Sequence, residues 1–505
     1  MKKNNVLTVL VGVLACAASA EVKLGTPFAD GMVLQRDREV AVWGTAEAGE
    51  SVSVSFAGNT VGTTAGEDGT WLVKLPKMEA CAEGRVLSVT GETTEQKVSN
   101  KTVSDILVGE VWFCSGQSNT EMPLVGGNPH FSDRQGRLVA QMTRKPLVRY
   151  VHASNYKWSA EPKSEAAYPV AWKTFTPENL GTAPSFSAMG VYFALELHSA
   201  LGIPVGIVGS YWGGTNIDAW TPRCGYEGKE SLKDVAEWKT ITTDWKKEYA
   251  KGPVSNSNQQ PTVLWNEMVA PWCPMTMRGF IWYQGCHNNG EAERYCDKMH
   301  ALYDGWSKSF ANPDLKLYFV QLAPYSCSWF TLQLNQAKFA AEEKNAALVT
   351  TVDIGNGTDI HPSEKGTIGK RLAALALKHD YGFTDLVADA PTLAGICAEE
   401  GRLALHFNNA KSWFYYDPAW GVDYGFEIAG ADGVWKKAYL VNGNDGKTKA
   451  EPWKTKGVIE GRDLLLAADG LEKPLKVRYL YEKPWIGGLF ADSGLPLGPF
   501  EAEVK

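Results

Sequence analysis

A chain of 505 residues with 44% hydrophobic and 21% charged residues has the balance of a folded globular protein, and its length calls for two or three domains. The net charge of −7 and the lack of any basic run argue against a nucleic-acid partner. No apolar run is long enough for a transmembrane helix. The 19 Trp and 19 Tyr form an aromatic stock that suits cores and carbohydrate-facing clefts alike.

Residues 1–20 read as an export signal. Lys2 and Lys3 give the positive start, Val6 to Ala15 the apolar segment, and Ala18-Ser19-Ala20 an A-x-A cleavage site before Glu21. A secreted or periplasmic protein is expected. An alternative takes Val13-Leu14-Ala15-Cys16 as a lipoprotein signal lipidated at Cys16, but Leu14 suits that motif poorly. Eight cysteines follow the signal, irregularly spaced and without a paired CxxC. Buried thiols with one or two bridges are expected, and the spacings do not point to structural zinc.

Residues 21–104 read as all-β. Val40-Ala41-Val42-Trp43-Gly44 and Val52-Ser53-Val54-Ser55-Phe56 alternate in character, with Gly-containing turns between such runs. A β-sandwich-like region with a structural or carbohydrate-facing role is expected. From Asp105 to residue 387 strands and helices alternate. Strands are expected at Ile106 to Phe113, Val205 to Gly209, Arg278 to Tyr283, Leu315 to Leu322 and Ala347 to Ile354. Helices are expected at Ser187 to Ala200, Gln333 to Lys344 and Ser363 to Lys378. This predicts an α/β domain with a mostly parallel sheet covered on both faces. Residues 224–260 read as a polar surface insertion. Residues 388–505 return to β character, as at Arg402 to Phe407 and Lys476 to Tyr481, either as a second module or as strands completing the first.

Ligands collect beyond the carboxyl ends of such strands. Gln117-Ser118-Asn119, Gly213-Gly214-Thr215-Asn216, Gln284-Gly285 and Asp359-Ile360-His361 all follow predicted strands. Ser118 follows a strand that stops at Gly116, as a nucleophile on a strand-end turn would. A serine needs a base and an oxyanion hole. Of the eight histidines, His361 is the best base, in a loop between strand and helix. Asp359 is the first choice to orient it, with Asp353 or a backbone carbonyl as alternatives. The backbone N–H of Ser118, Gly213 or Gly214, and the side chain of Gln284 or Asn288 are candidate oxyanion donors. Gln117 and Asn119 flank the serine as candidate substrate contacts.

Gly116-Gln117-Ser118-Asn119, Trp282-Tyr283-Gln284-Gly285 with Asn288, and Asp359-Ile360-His361-Pro362 resemble the sialate O-acetylesterase family of SGNH, or GDSL-like, hydrolases. Asp30 to Arg36, Ser210 to Thr215 and Gly494 to Phe500 extend the resemblance over nearly the whole mature chain. It implies an SGNH-like three-layer α/β/α esterase domain and hydrolysis of acetyl esters on sugars, typically at the 9-position of sialic acid, without a cofactor or metal. It matches Ser118 to the family nucleophile, His361 to its base, and Gly213 or Gly214 and Gln284 to its oxyanion region. Thr120, Met122 and Cys286-His287 depart from the family pattern, and Thr358 stands where the acid of a DxxH spacing would fall. The expected partner is an O-acetylated sugar or glycan. An acetylesterase of xylan or pectin, and a glycan-binding protein with a dead site, are the alternatives.

Overall fold

The structure, a computed structural model, describes residues 21–504 apart from 154–155, 184, 242–256, 417–424, 442–457, 462 and 482–487. The export signal, Cys16 and the middle of the polar insertion lie outside the described residues.

One strand, Val98–Gly116, joins two architectures. Its first part pairs antiparallel with Cys81–Glu92, and Val33–Gln35 runs parallel to it at Leu107 to Gly109. Its second part lies between the parallel strands Val205–Tyr211 and Gly279–Tyr283. The sequence explains the change of role. Polar residues up to Asp105 face solvent, and from Ile106 through Gly116 every residue is buried. A strand buried on both faces needs cover from both sides, as parallel strands have.

The central sheet runs, from one edge, Lys173–Phe175, Lys145–His152, Val205–Tyr211, Val98–Gly116, Gly279–Tyr283, Lys316–Val320 and Ala346–Val349. All neighbours pair in parallel except the antiparallel edge strand Lys173–Phe175. Adjacent residues on the central strand point to opposite faces. Trp112 meets Phe193, on the helix Ala188–Leu201, and donates its indole N–H to Tyr381 just past the helix Lys365–Asp380. Phe113 meets Trp306 and Phe310 on and after the helix Tyr295–Ser309, and Phe319 likewise meets Phe339 of the helix Phe330–Glu342.

The N-terminal strands alternate buried and exposed positions, as at Thr70–Leu75 and Ser51–Phe56, which fits sheets with one wet face. Their apolar side chains merge with those of the α/β region into one continuous core, whereas most buried residues beyond 400 form a separate cluster around Trp413, Val477 and Tyr479. The strands from Thr392 to Glu503 pair only among themselves among the described residues, so they do not complete the first β region.

Several elements of the α/β region have no counterpart among the expected ones, the longest strand and helix among them being Lys145–His152 and Tyr295–Ser309. The strand Lys145–His152 carries Pro146 and Arg149, which hide its apolar pattern. The helix Tyr295–Ser309 follows a loop rich in polar residues. The strand expected at Ala347 to Ile354 ends at Val349, and the chain then enters the loop that carries His361. The eight cysteines after the signal are all free, so no bridge of the expected kind forms among them.

Glu110 fastens the N-terminal strands to the central sheet. Its fully buried carboxylate accepts from Arg36 Nε at 2.7 Å, Gln35 Nε2 at 2.9 Å, Arg278 Nε at 3.2 Å and Tyr381 OH at 2.9 Å. Burial alone would raise its pKa, but Arg278, Gln35 and Arg36 bring it below the ordinary value. Removing one partner of such a network strands the others. Glu110→Ala is therefore expected to cost about 3–5 kcal/mol, read as a fall in the thermal unfolding midpoint, and an unchanged midpoint would contradict this role.

Candidate active site

The site begins where the central strand must stop. Gly116 has φ of 138°, and a Cβ there would lie 2.3 Å from the Tyr283 carbonyl oxygen and 2.5 Å from Thr120 Oγ1. Only glycine fits this turn. The chain then enters the short helix Ser118–Glu121, in which the first N–H groups have no intrahelical partner. Ser118 Oγ lies 2.8 Å from His361 Nε2, across 243 positions of sequence. The Phe131 ring packs at right angles to the imidazole, with centroids 5.0 Å apart.

Several contacts fix this distance. Asn119, beside Ser118, donates from Nδ2 to the Ile360 carbonyl at 2.9 Å and accepts from Lys365 Nζ at 2.6 Å. The serine turn is thus bolted to the residue before His361 and to the helix after it. Asp133 accepts from the Lys365 backbone N–H at 3.1 Å and from Tyr192 OH at 2.9 Å, which caps the histidine-side helix. Arg134 pairs with Glu364 on the same loop.

The structure brings Ser118 and His361 together, with Gly213 beside them, but gives Asp359, Asp353, Gln284, Asn288 and Gln117 other partners. Asp359 accepts the backbone N–H of His361 at 2.8 Å, an Asx turn that shapes the loop, and not a ring N–H. Asp353 makes a two-pronged pair with Arg371, at 2.8 and 2.6 Å. Among the described residues the ring contacts shown for His361 are Ser118 Oγ at Nε2 and the Phe131 ring, which makes Ser118 and His361 a candidate dyad. Gln284 donates to Thr215 O at 3.0 Å and Asn288 Oδ1 at 2.8 Å, and accepts from Tyr295 OH at 2.8 Å. Both of its amide hydrogens are taken, so it ties loops rather than facing an oxyanion. Asn288 Oδ1 also accepts the Ile217 N–H at 3.0 Å, and Gln117 Oε1 accepts the Gly285 N–H at 3.1 Å. Buried amides fill this ring of loops because each joins two backbones at once.

Gly213 does reach the serine, since a Cβ on it would lie 3.1 Å from Ser118 Cβ. Its N–H donates to Glu121 Oε2 at 2.6 Å. Gly214 turns the chain with φ of 70° and open space beside it. Glu121 is a residue the sequence reading passed over. Its other oxygen accepts from Tyr156 OH at 3.0 Å, and burial raises its pKa against the pull of these two bonds.

Lys365 was also missed. It is fully buried, its Nζ lies 5.3 Å from the Tyr283 ring centroid, and burial pulls its pKa down to about 7. A cation in the first turn of a helix opposes the helix dipole, and this was the available signal. The pKa of His361 is lowered by burial first and by Lys365 second, against an opposing pull from Asp359. The imidazole is therefore neutral at neutral pH and able to take a proton from Ser118.

A serine hydroxyl bonded to a neutral imidazole, at the carboxyl edge of a buried α/β sheet, can carry nucleophilic acyl transfer. The comparison with known proteins agrees with that class. The chain belongs to the family described as carbohydrate esterase, sialic acid-specific acetylesterase, whose family model matches residues 108–378 and so spans both Ser118 and His361. A Homo sapiens protein named sialate O-acetylesterase is 31% identical over 290 residues, 55% of this chain and 51% of that protein. A Rattus norvegicus protein of the same name is 27% identical over 417 residues, 71% of this chain and 74% of that protein. The chain thus spans about half the length of the human relative. A solved carbohydrate acetylesterase from Xanthomonas citri superposes with a TM-score of 0.78 and 30% identity, over 96% of this chain and 100% of that one.

Two outcomes follow from the geometry. Asp359→Asn keeps an acceptor for the His361 N–H, so kcat should stay within a few-fold of the parent. A fall on the order of 10⁴-fold, as when a triad carboxylate is lost, would contradict the dyad. Lys365→Met removes a charge that holds the His361 pKa down. The acid limb of kcat/KM, expected below the ordinary histidine value of 6.5, should then move upward. A limb that stays in place or moves down would contradict that coupling.

Proposed function

We propose that the chain is an exported serine esterase that removes O-acetyl groups from sugars, with O-acetylated sialic acid as its substrate. The observation that carries this reading is the 2.8 Å contact between Ser118 Oγ and His361 Nε2, in a chain of the sialic acid-specific acetylesterase family. The names of the human and rat relatives support the sugar, and the sequence pattern of residues 1–20 supports export. No helix among the described residues is long and apolar enough to cross a membrane.

His361 Nε2 takes the Ser118 proton as Oγ attacks the acetyl carbonyl. The backbone N–H of Ser118 faces the oxyanion, and Gly213 adds a second donor once its N–H leaves Glu121. The imidazolium then protonates the departing sugar oxygen. In the second half, His361 takes a proton from water, the hydroxide oxygen attacks the acetyl-enzyme, and acetate leaves as Ser118 regains its proton. An acetyl group offers little binding energy, so selectivity rests on contacts to the sugar.

The same reading gives residues 105–387 an SGNH-like three-layer α/β/α arrangement, flanked by β regions at 21–104 and 388–505. The parallel pairings and the helices meeting Trp112 and Phe113 on opposite faces support it.

Ser118→Ala should lower acetate release on the order of 10⁶-fold while circular dichroism stays unchanged; normal release would sink the assignment. Acetate release from O-acetylated sialic acid should exceed that from acetylated xylan or pectin, and the reverse order would move the substrate to those glycans.

A further inference from the structure

The helices behind the Gln284–Asn288 loop carry a side-chain cluster that hydrolysis does not use. Cys296 and His300 stand at i and i+4 on the helix Tyr295–Ser309 and so share one face. Glu342 ends the neighbouring helix Phe330–Glu342 and turns one oxygen to both. Oε2 accepts from Cys296 Sγ at 3.4 Å and lies 3.0 Å from His300 Nε2. One donor atom from each residue lies within 4.8 Å of the other two. The second oxygen faces Lys338 at 3.9 Å, and the His300 ring is steadied by Phe339, with centroids 4.8 Å apart. Cys296 is buried, while the side chains of His300 and Glu342 are 25% and 45% exposed, which leaves a path from solvent.

Thiolate, imidazole and carboxylate are the mixed donor set of zinc. Tetrahedral zinc with bonds of about 2.0–2.3 Å sets its donor atoms roughly 3.3–3.6 Å apart. The sulfur–oxygen edge already has that length, and the nitrogen–oxygen edge needs to open by only a few tenths of an ångström. We propose that Cys296, His300 and Glu342 form a three-ligand site for zinc or a divalent cation of similar softness, with water in the fourth position.

Without metal the thiol donates to Glu342, and burial together with Glu342 holds its pKa up at about 12. The ion replaces that proton, which leaves to solvent as the sulfur becomes a thiolate ligand. Asp297 and Lys338 are the other charged groups close to the sulfur. The bound ion would clamp together two helices that both hold Gln284, through Tyr295 OH and Gln336 Nε2. Its effect falls on stability, and the chemistry at Ser118 does not depend on it.

Cobalt reads a thiolate ligand directly. Titrating the whole chelator-treated protein with Co²⁺ should give a near-ultraviolet thiolate-to-cobalt charge-transfer band that saturates at one ion per chain and is displaced by Zn²⁺. Cys296→Ser should abolish the band, and Cys327→Ser, at an exposed thiol elsewhere, should leave it intact. Loss of the partly exposed His300 ring in His300→Ala should weaken binding by at least about 10-fold. That variant decides the matter if Cys296→Ser fails to fold. Zn²⁺ should raise Tm in the parent and not in His300→Ala, with acetate release unchanged in both. Absence of the band, its survival in Cys296→Ser, or undiminished binding in His300→Ala would overturn the site.

Discussion

The hydrogen bond between Ser118 and His361 is the constraint on which the candidate site depends. Its two residues lie on loops 243 positions apart, and a shift of one ångström would break it. Each loop is therefore held from below and from the side. The glycine at 116 stops the strand at one allowed geometry, and the Tyr283 carbonyl accepts from the Gln117 N–H at 3.1 Å. Asn119 then links this turn to Ile360 and Lys365 in one step. The rigid element beneath is the central strand, whose residues from Ile106 onward are wholly buried.

A dyad has a different electrostatic balance from a triad. A carboxylate on Nδ1 would stabilise the imidazolium that forms during attack. Here Asp359 shapes the backbone instead, and Lys365 works against the imidazolium. The gain is an imidazole whose pKa burial and Lys365 hold below the ordinary histidine value, so that it is neutral at neutral pH. The loss is weaker stabilisation of the charged intermediate. Lys365 is tolerated because Asn119 and the Tyr283 ring face its ammonium, and because burial has already drawn its pKa down to about 7. Glu121 makes a second coupled group, since its carboxylate competes with any developing oxyanion for the Gly213 N–H.

The central strand, its glycine and the serine after it were legible in the sequence because they follow from local rules. An apolar run ending in glycine and a polar turn needs no tertiary knowledge. His361 was legible from its place between strand and helix. The amides were read correctly as residues of the strand-end loops and wrongly as groups facing the substrate. Composition shows that Gln284 and Asn288 carry amide groups; it does not show that Thr215 will accept from one, or that Ile217 and Tyr295 will donate to their oxygens. Asp359 illustrates the same limit, because an acid two residues from a histidine can bond the backbone as readily as the ring. The place of Lys365 in the first turn of a helix was a weak signal, and its full burial follows from packing that the sequence does not display. The Lys145–His152 strand was hidden by Arg149, whose guanidinium is used on the carbonyls of Gly31 and Asp105.

The central claim is that Ser118 is a nucleophile activated by His361. A fluorophosphonate probe tests it directly, since such a probe labels only an activated serine. Intact-mass and peptide-level mass spectrometry should find one label per chain, on Ser118, formed as acetate release is lost, and none in His361→Ala. Labelling at a different serine, or equal labelling of Ser118 in His361→Ala, would contradict the account.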